Sequence, residues 1–280
     1  MLSYRHGFHA GNFADVLKHL VLIDSLHYLA KKDKPFCYFD THAGAGDYAL
    51  DDTFALKNRE FDNGIGRLWL RSDLPDAVLA YVNIIKAFNA TGKLNRYPGS
   101  PLIAQHLLRQ NDRLCLFELH PTEIKSLNQT TFKDKRVKRF HADGLTASLP
   151  LLPPLERRAL VLVDPSYELK NDYRLVVDAL IKMHQRFATG AFLLWYPVVE
   201  RRLIDELERA FKKSGIRNIQ LFELGIKADQ PEQGMTACGM IAINAPWTLA
   251  TQMRQTLPWL VGALAEQGGG FYRLETLVDE

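Results

Sequence analysis

The sequence predicts an α/β protein built on an open, mainly parallel sheet. Five short apolar runs, at 35–40, 113–119, 137–141, 159–163 and 191–197, read as buried strands, and amphipathic helical stripes lie between them. After the last run, 219–224 and 239–244 read as an antiparallel pair joined by a polar loop containing Gln230 to Gly234. In such a sheet, ligands bind beyond the carboxyl ends of the strands, so the residues that end each strand carry the functional reading.

The bulk properties set wide limits. A chain of 280 residues, 47% apolar and 24% charged, suits one large domain over 1–280 with an ordinary core. A net charge of +3 permits a nucleic-acid partner without requiring one. Cys37, Cys115 and Cys238 are scattered and odd in number, so neither a disulfide framework nor a metal site is expected, and the default is a reducing cytoplasm. No signal peptide or run of membrane-spanning length is visible.

Residues 1–11 are polar, aromatic and glycine-bearing, and read as an N-terminal arm. Asn12 is placed to cap a helix whose apolar positions are Phe13, Val16, Leu17, Leu20, Val21 and Leu26. Lys18 and His19 sit in it, and taken singly read as a solvated lysine and a hydrogen-bonded histidine. The first strand ends at Asp40 and runs into Thr41-His-Ala-Gly-Ala-Gly46, where Gly44 and Gly46 would let a ligand approach the backbone. That turn also fits a dinucleotide fingerprint, which wants an acid at the end of the second strand about 20 residues later. Here that acid, Glu118, lies 72 residues past Gly46, which argues against a nicotinamide enzyme.

The intervening 47–100 reads as a helical insertion subdomain, with Phe61, Ile65, Leu68 and Trp69 as one stripe and Leu79, Val82, Ile85 and Phe88 as another. It closes with Tyr97-Pro-Gly-Ser-Pro101, in which Ser100 is expected to cap a helix begun by Pro101. The third strand hands over to a turn at Asp143 and Gly144.

The fourth strand ends in Asp164-Pro-Ser-Tyr167. Two acceptors, the Asp164 carboxylate and the Pro165 carbonyl, suit the two N–H bonds of an amino group on an aromatic ring, whose lone pair is delocalised. Holding both favours the pyramidal nitrogen of a methyl-transfer transition state. Tyr167 would offer a face for the base, worth roughly 1–3 kcal/mol against a flipping cost of a few kcal/mol. The bland alternative is a common Asp-Pro turn. Asn244-Ala-Pro-Trp247 matches the pattern as loosely, but it follows an antiparallel strand whose end should point away from the glycine turn, so it reads as structural.

Together, Tyr4-Arg-His-Gly-Phe-His-Ala-Gly-Asn12 with Asp15-Val-Leu-Lys-His19, the turn 40–46, Tyr97-Pro-Gly-Ser-Pro101, the tetrapeptide at Asp164 and Trp195-Tyr-Pro197 resemble the RlmJ family over 1 to roughly 250. The resemblance implies a class I S-adenosylmethionine-dependent methyltransferase with a Rossmann-like sheet of seven strands and a helical insertion. It implies transfer to N6 of one adenine in 23S ribosomal RNA, in the cytoplasm, by a monomer acting on large-subunit RNA before full subunit assembly. By position it makes His19, His42, Ser100, Glu118, Asp143, Gly144 and Asp164 cofactor contacts, and Asp164 also the catalytic acceptor, with Pro165 and Tyr167 beside it. Lys18, or His19 through a ring N–H, can face the methionine carboxylate, Glu118 the ribose hydroxyls and Asp143 the adenine amine. Tyr4 and His6 of the arm, with Tyr167, are the implied substrate contacts. Where the family has a second proline this chain has Ser166, which allows the same turn without enforcing it.

Two other readings share these residues. A DNA adenine-N6 methyltransferase would use the same base chemistry, though no separate target-recognition domain is visible. A catalytically weakened nucleic-acid-binding relative associated with DNA uptake would bind the cofactor without turnover.

Overall fold

The computed structural model describes residues 5–228, 234–266 and 269–280. It opens with one 3-10 turn, His6–Phe8, followed by helix α1, Phe13–Ala30. Asn12 caps α1 as expected, its Oδ1 accepting from the N–H groups of Ala14 and Asp15, each at 3.0 Å. Such a cap is worth about 1 kcal/mol. It also fixes where the first turn of α1 starts, and therefore where Asp15, Lys18 and His19 point.

Strand β1 (Cys37–Asp40) leads into a small antiparallel ribbon of β2 (Asp47–Ala49) and β3 (Arg96–Pro98). Between β2 and β3 lie α2 (Thr53–Asn58), α3 (Ile65–Leu68) and α4 (Asp76–Ala87). The stripe Phe61, Ile65, Leu68 and Trp69 is buried. In α4 the inward face is Val78, Tyr81, Val82 and Ile85, while Leu79, expected to be inward, is 42% exposed. Val82 and Ile85 are buried as expected, while Val78 and Tyr81 take the place of Leu79 on the inward face.

The chain continues with α5 (Ser100–Leu107), β4 (Arg113–Phe117), α6 (Glu123–Thr131), β5 (Val137–Phe140), α7 (Gly144–Ala147) and β6 (Ala159–Val163). It closes with α8 (Asp172–Arg186), β7 (Ala191–Val198), α9 (Arg201–Lys213), β8 (Ile219–Gly225), β9 (Ala237–Ile243), α10 (Leu249–Leu264) and β10 (Phe271–Val278).

One sheet takes eight of these strands in the order β10-β8-β9-β7-β6-β1-β4-β5. β6, β1, β4 and β5 run parallel with β7, whereas β9 is antiparallel to both β7 and β8. The count of seven strands is thus corrected to eight. The extra strand, β10, pairs antiparallel with β8 at the sheet's edge. It has no apolar run to betray it, because an edge strand is half-exposed and carries charges, here Arg273 and Glu275. β7 also runs through Pro197, where a stop was expected. Its pairing with β6 ends at Leu194, so Pro197 is paired only with β9 and its missing N–H leaves no gap in a ladder.

Alternate residues of β6 enter separate cores. Leu160 and Leu162 pack in the layer with α1, α4 and α10, and Val161 and Val163 in the layer with α8 and α9. Burial on both faces explains the unbroken apolar run before Asp164. Asn244, beyond β9, donates from Nδ2 to the carbonyls of Ala188 and Gly190 at 2.8 and 2.9 Å, and Trp247 is 76% exposed, both away from the strand tips that carry Asp40 and Asp164.

Candidate active site

The carboxyl ends of β1, β4, β5 and β6 surround a cavity of about 570 Å³ whose wall includes His42, Gly44, Glu118, Asp143, Gly144, Asp164 and Pro165. The glycine turn and the Asp164 tetrapeptide therefore face one space. A second cavity, of about 290 Å³, is walled by Tyr167, Tyr173, Trp195 and Val199. His6, Lys18, Asp164, Ser166 and Glu168 line both. Asp164 stands at the junction.

Lys18 Nζ lies 2.6 Å from Asp164 Oδ2 and 2.7 Å from Asp15 Oδ1, with its side chain only 5% exposed. It is not the solvated lysine that its helical position suggests. Burial pulls its pKa down, but the charges of Asp15 and Asp164 and their hydrogen bonds outweigh burial and raise it, so it stays cationic. Asp15 is held well below the usual carboxylate range against its burial, chiefly by His6 and Lys18. His6 Nε2 lies 3.0 Å from Asp15 Oδ2, which also accepts from the Gly11 N–H at 2.8 Å. The 3-10 turn is thereby tied to the first turns of α1. Tyr4 lies outside the described residues.

His19 is fully buried, and burial lowers its pKa to about 3, so it is neutral. Its Nδ1 lies 2.7 Å from Tyr97 Oη, which is 3.0 Å from Tyr81 Oη. If the Tyr97 hydroxyl donates to Nδ1, the proton sits on Nε2. Nε2 is buried with no hydrogen-bond partner among the described residues, while His19 forms part of the larger cavity's wall.

Ser100 does not cap its helix. Gly99 occupies the cap position, and Ser100 Oγ donates to Asp40 Oδ2 at 2.7 Å, beside the Tyr38 hydroxyl at 2.8 Å. Burial raises the Asp40 pKa to about 6, although these donors oppose it. Asp40 thus fixes Ser100 in the cavity wall and, through the His42 N–H at 3.3 Å, the start of the glycine turn.

In that turn Gly44 has φ 61°, and a Cβ there would meet Tyr48 Oη at 2.2 Å. Its N–H donates to Glu118 Oε2 at 2.8 Å, and the His120 N–H donates to Oε1 at 2.6 Å. Burial raises the Glu118 pKa, and burial lowers that of His42. Gly46 has φ 81°, and a Cβ there would meet Leu127 and Thr130 at 3.2 Å and Leu102 at 3.9 Å. Asp143 caps α7 through the Leu145 N–H at 2.9 Å, and a Cβ on Gly144 would strike the Thr41 carbonyl at 2.2 Å.

Tyr167 has φ 50°, a left-handed conformation that costs a tyrosine about 1 kcal/mol or more. What holds it is its hydroxyl, which donates to the Trp195 carbonyl at 2.8 Å, and its ring, tilted on Tyr173 at 4.5 Å and edge-on to Trp195 at 6.0 Å. Lys18 Nζ stands 5.9 Å above the Trp195 ring. Asp15, Asp40, Tyr81 and Tyr97 were not singled out as site residues from sequence. The available signals were Asp15, three residues before Lys18 on the same helical face, and Asp40 at the end of the first strand.

β4 and β6 flank β1, β5 lies beyond β4, the β8–β9 pair is antiparallel, and the cavity opens at the parallel strands' carboxyl ends. The protein is a class I S-adenosylmethionine-dependent methyltransferase. A family model described as ribosomal RNA large subunit methyltransferase D, RlmJ, matches residues 33–278. Ribosomal RNA large subunit methyltransferase J of Escherichia coli (strain K12) is 48% identical over 280 residues, and that of Haemophilus influenzae 48% over 281, each match covering 100% of both chains. The crystal structure of protein LPL1258 from Legionella pneumophila superimposes with a TM-score of 0.89 at 39% identity, covering 96% of this chain and 98% of that one. The chain belongs to the RlmJ family.

Proposed function

We propose that this protein transfers a methyl group from S-adenosylmethionine to N6 of one adenine in 23S ribosomal RNA, with Asp164 as the acceptor that holds the amine. The observation that carries this reading is the pair of cavities meeting at Asp164, one suited to a cofactor and the other, between Tyr167 and Trp195, to a flipped base.

The larger cavity fits the cofactor on two grounds. The unpartnered His19 Nε2 can donate to the methionine carboxylate, which leaves Lys18, already shared by two acids, free of that role. The Glu118 carboxylate, oriented by two N–H groups, keeps lone pairs for ribose hydroxyls. When bound, the cofactor supplies a methyl group on positively charged sulfur. The chain's residues do the rest. Tyr167 stacks the base, Asp164 and the Pro165 carbonyl accept from the amine, and Asp164 takes the proton that N6 gives up once its new bond to carbon has formed. Lys18 holds the Asp164 carboxylate in place beforehand, at 2.6 Å.

Ser100, Asp143, Gly144, His42 and Gly44 complete the cofactor's surroundings in this reading, and His6, which lines both cavities, approaches the substrate. The insertion 47–100 contacts flanking RNA. No helix of the described residues is long and apolar enough to cross a membrane. In this reading the protein acts as a cytoplasmic monomer on large-subunit RNA before the subunit is assembled. Labelled cofactor incubated with protein-free large-subunit RNA, and with duplex DNA as control, tests the assignment. RNA should be labelled and DNA not. Asp164→Asn should cut turnover by at least 10²-fold, on the order expected for a lost proton acceptor, and cofactor affinity far less. Equal losses would make Asp164 mainly a cofactor ligand.

A further inference from the structure

We propose a second RNA-contact surface at the opposite end of the sheet from the cavities, formed by the segments that lead into β1, β4, β5 and β6. It rests on the reading that the substrate is RNA.

Strand direction fixes the geometry. The cavity wall is made by residues that follow the carboxyl ends of these four parallel strands, so the segments that precede them, 31–36, 109–113, 133–136 and 155–158, gather at the other end. Those segments hold ten lysines and arginines against four acids. Their excess of six positive charges is larger than the +3 of the whole chain, so the rest of the chain sums to −3.

Internal pairing sharpens the asymmetry. Three of the four acids are taken inward, Asp112 by Arg109 at 2.9 Å, Asp134 by Arg136 at 2.6 Å and Glu156 by Arg113 at 2.5 Å. Lys31, Lys32, Lys34, Lys133, Lys135 and Arg157 are exposed, and none of the six forms an ion pair among the described residues. The face is also held in place. Arg109 donates to the carbonyls of Ala30, Lys32 and Lys34 at 3.1, 2.6 and 3.1 Å, and Arg158 to those of Leu29 and Lys34. Two guanidinium groups thus clamp the backbone of the lysine-bearing turn while its ammonium groups face solvent. Lys133 lies 5.6 Å from the ring of Phe132, which is 67% exposed and offers a surface for a base beside the charges.

Phosphate is the chemistry that suits such a face, since clustered lysines on a fixed backbone neutralise it without reading sequence. The strands between the two ends are four or five residues long, or about 15 Å. Lys138, exposed on the edge strand β5, continues the positive run toward the cavity. A folded RNA can place one nucleotide in the pocket and reach this face with a neighbouring segment around that edge.

The test is a charge-reversal variant, Lys32→Glu, Lys34→Glu, Lys133→Glu and Lys135→Glu together, assayed on full-length protein-free large-subunit RNA. The expected result is a rise of at least tenfold in KM for RNA, with kcat and calorimetric S-adenosylmethionine affinity unchanged. The slope of log affinity against log salt should be shallower by roughly 3, from four lost phosphate contacts. Unchanged KM and slope, with the wild type active, would overturn this surface and leave the proposed function standing. A wild type that fails to methylate the RNA would instead remove the functional reading. If reversal lowers cofactor affinity, the glutamine versions of the same four positions decide by the same two readouts. Wild-type binding to phosphatidylglycerol vesicles, without any change in RNA binding in the variant, would assign the face to a membrane and also overturn the proposal.

Discussion

Lys18 Nζ sits 2.6 Å from Asp164 Oδ2, joining the second turn of α1 to the tip of β6 across 146 residues of chain. The acceptor is therefore partnered before any substrate arrives, and Lys18 is itself shared with Asp15 at 2.7 Å. Removing the cation, as in Lys18→Met, leaves two enclosed carboxylates that had a common counter-charge. Asp15, which Lys18 helps hold below the usual carboxylate range, must then take up a proton more readily.

Lys18→Met is accordingly expected to lower turnover by about 10²-fold at neutral pH and to move the acid limb of the rate profile to higher pH. Single-turnover methyl transfer across pH 5–9 checks it. An unshifted acid limb would mean that Lys18 only braces the fold.

A hydroxyl relay makes a second prediction. Tyr81 and Tyr97 lie 3.0 Å apart, and Tyr97 sets the His19 ring through Nδ1 at 2.7 Å. Tyr97→Phe leaves that buried nitrogen unpaired and frees the tautomer, a penalty of about 1–3 kcal/mol. Calorimetry should find cofactor affinity weakened about tenfold, with kcat at saturating cofactor nearly unchanged. Tyr81→Phe, one step removed, should weaken it less.

These relationships explain what the sequence could and could not disclose. The Asn12 cap, the apolar strands and the acid at each strand tip are set by residues a few positions apart, so local pattern reveals them. The Lys18–Asp164 pair, the His19–Tyr97 contact and the Ser100–Asp40 bond join positions 146, 78 and 60 apart, and no periodicity encodes such partners. Taken singly, Lys18 looked solvated and Ser100 looked like a cap. β10 escaped because an exposed edge strand needs no apolar run.

The Ser166 position yields a third prediction. A second proline would narrow the conformations of Pro165 in the unfolded chain, whereas here the turn is held from outside, by the Tyr167 hydroxyl on the Trp195 carbonyl. Ser166→Pro should raise the urea midpoint by the equivalent of about 0.4–1 kcal/mol and change turnover by less than about threefold. Activity arising from an inactive wild type would reverse the argument.

The last prediction concerns folding stability and pH. His19 is neutral in the fold, its pKa lowered to about 3 by burial, while in the unfolded chain it titrates near 6.5. Between those values the unfolded state binds the extra proton, so stability falls as pH drops below 6.5. Asp40 acts oppositely. Burial raises its folded pKa to about 6 from 3.8, so the folded state binds its proton first and stability rises as pH falls through 6 toward 3.8. Between pH 7 and pH 5 linkage gives a loss of about 2 kcal/mol from His19 and a gain of about 1 kcal/mol from Asp40. Urea unfolding should therefore show a lower midpoint at pH 5 than at pH 7. His19→Asn, whose side-chain oxygen can still accept from Tyr97, should abolish the fall or turn it into a rise. A variant that loses stability with acid as steeply as the wild type would show that the dependence originates in other groups, His42 among them, whose pKa burial also lowers.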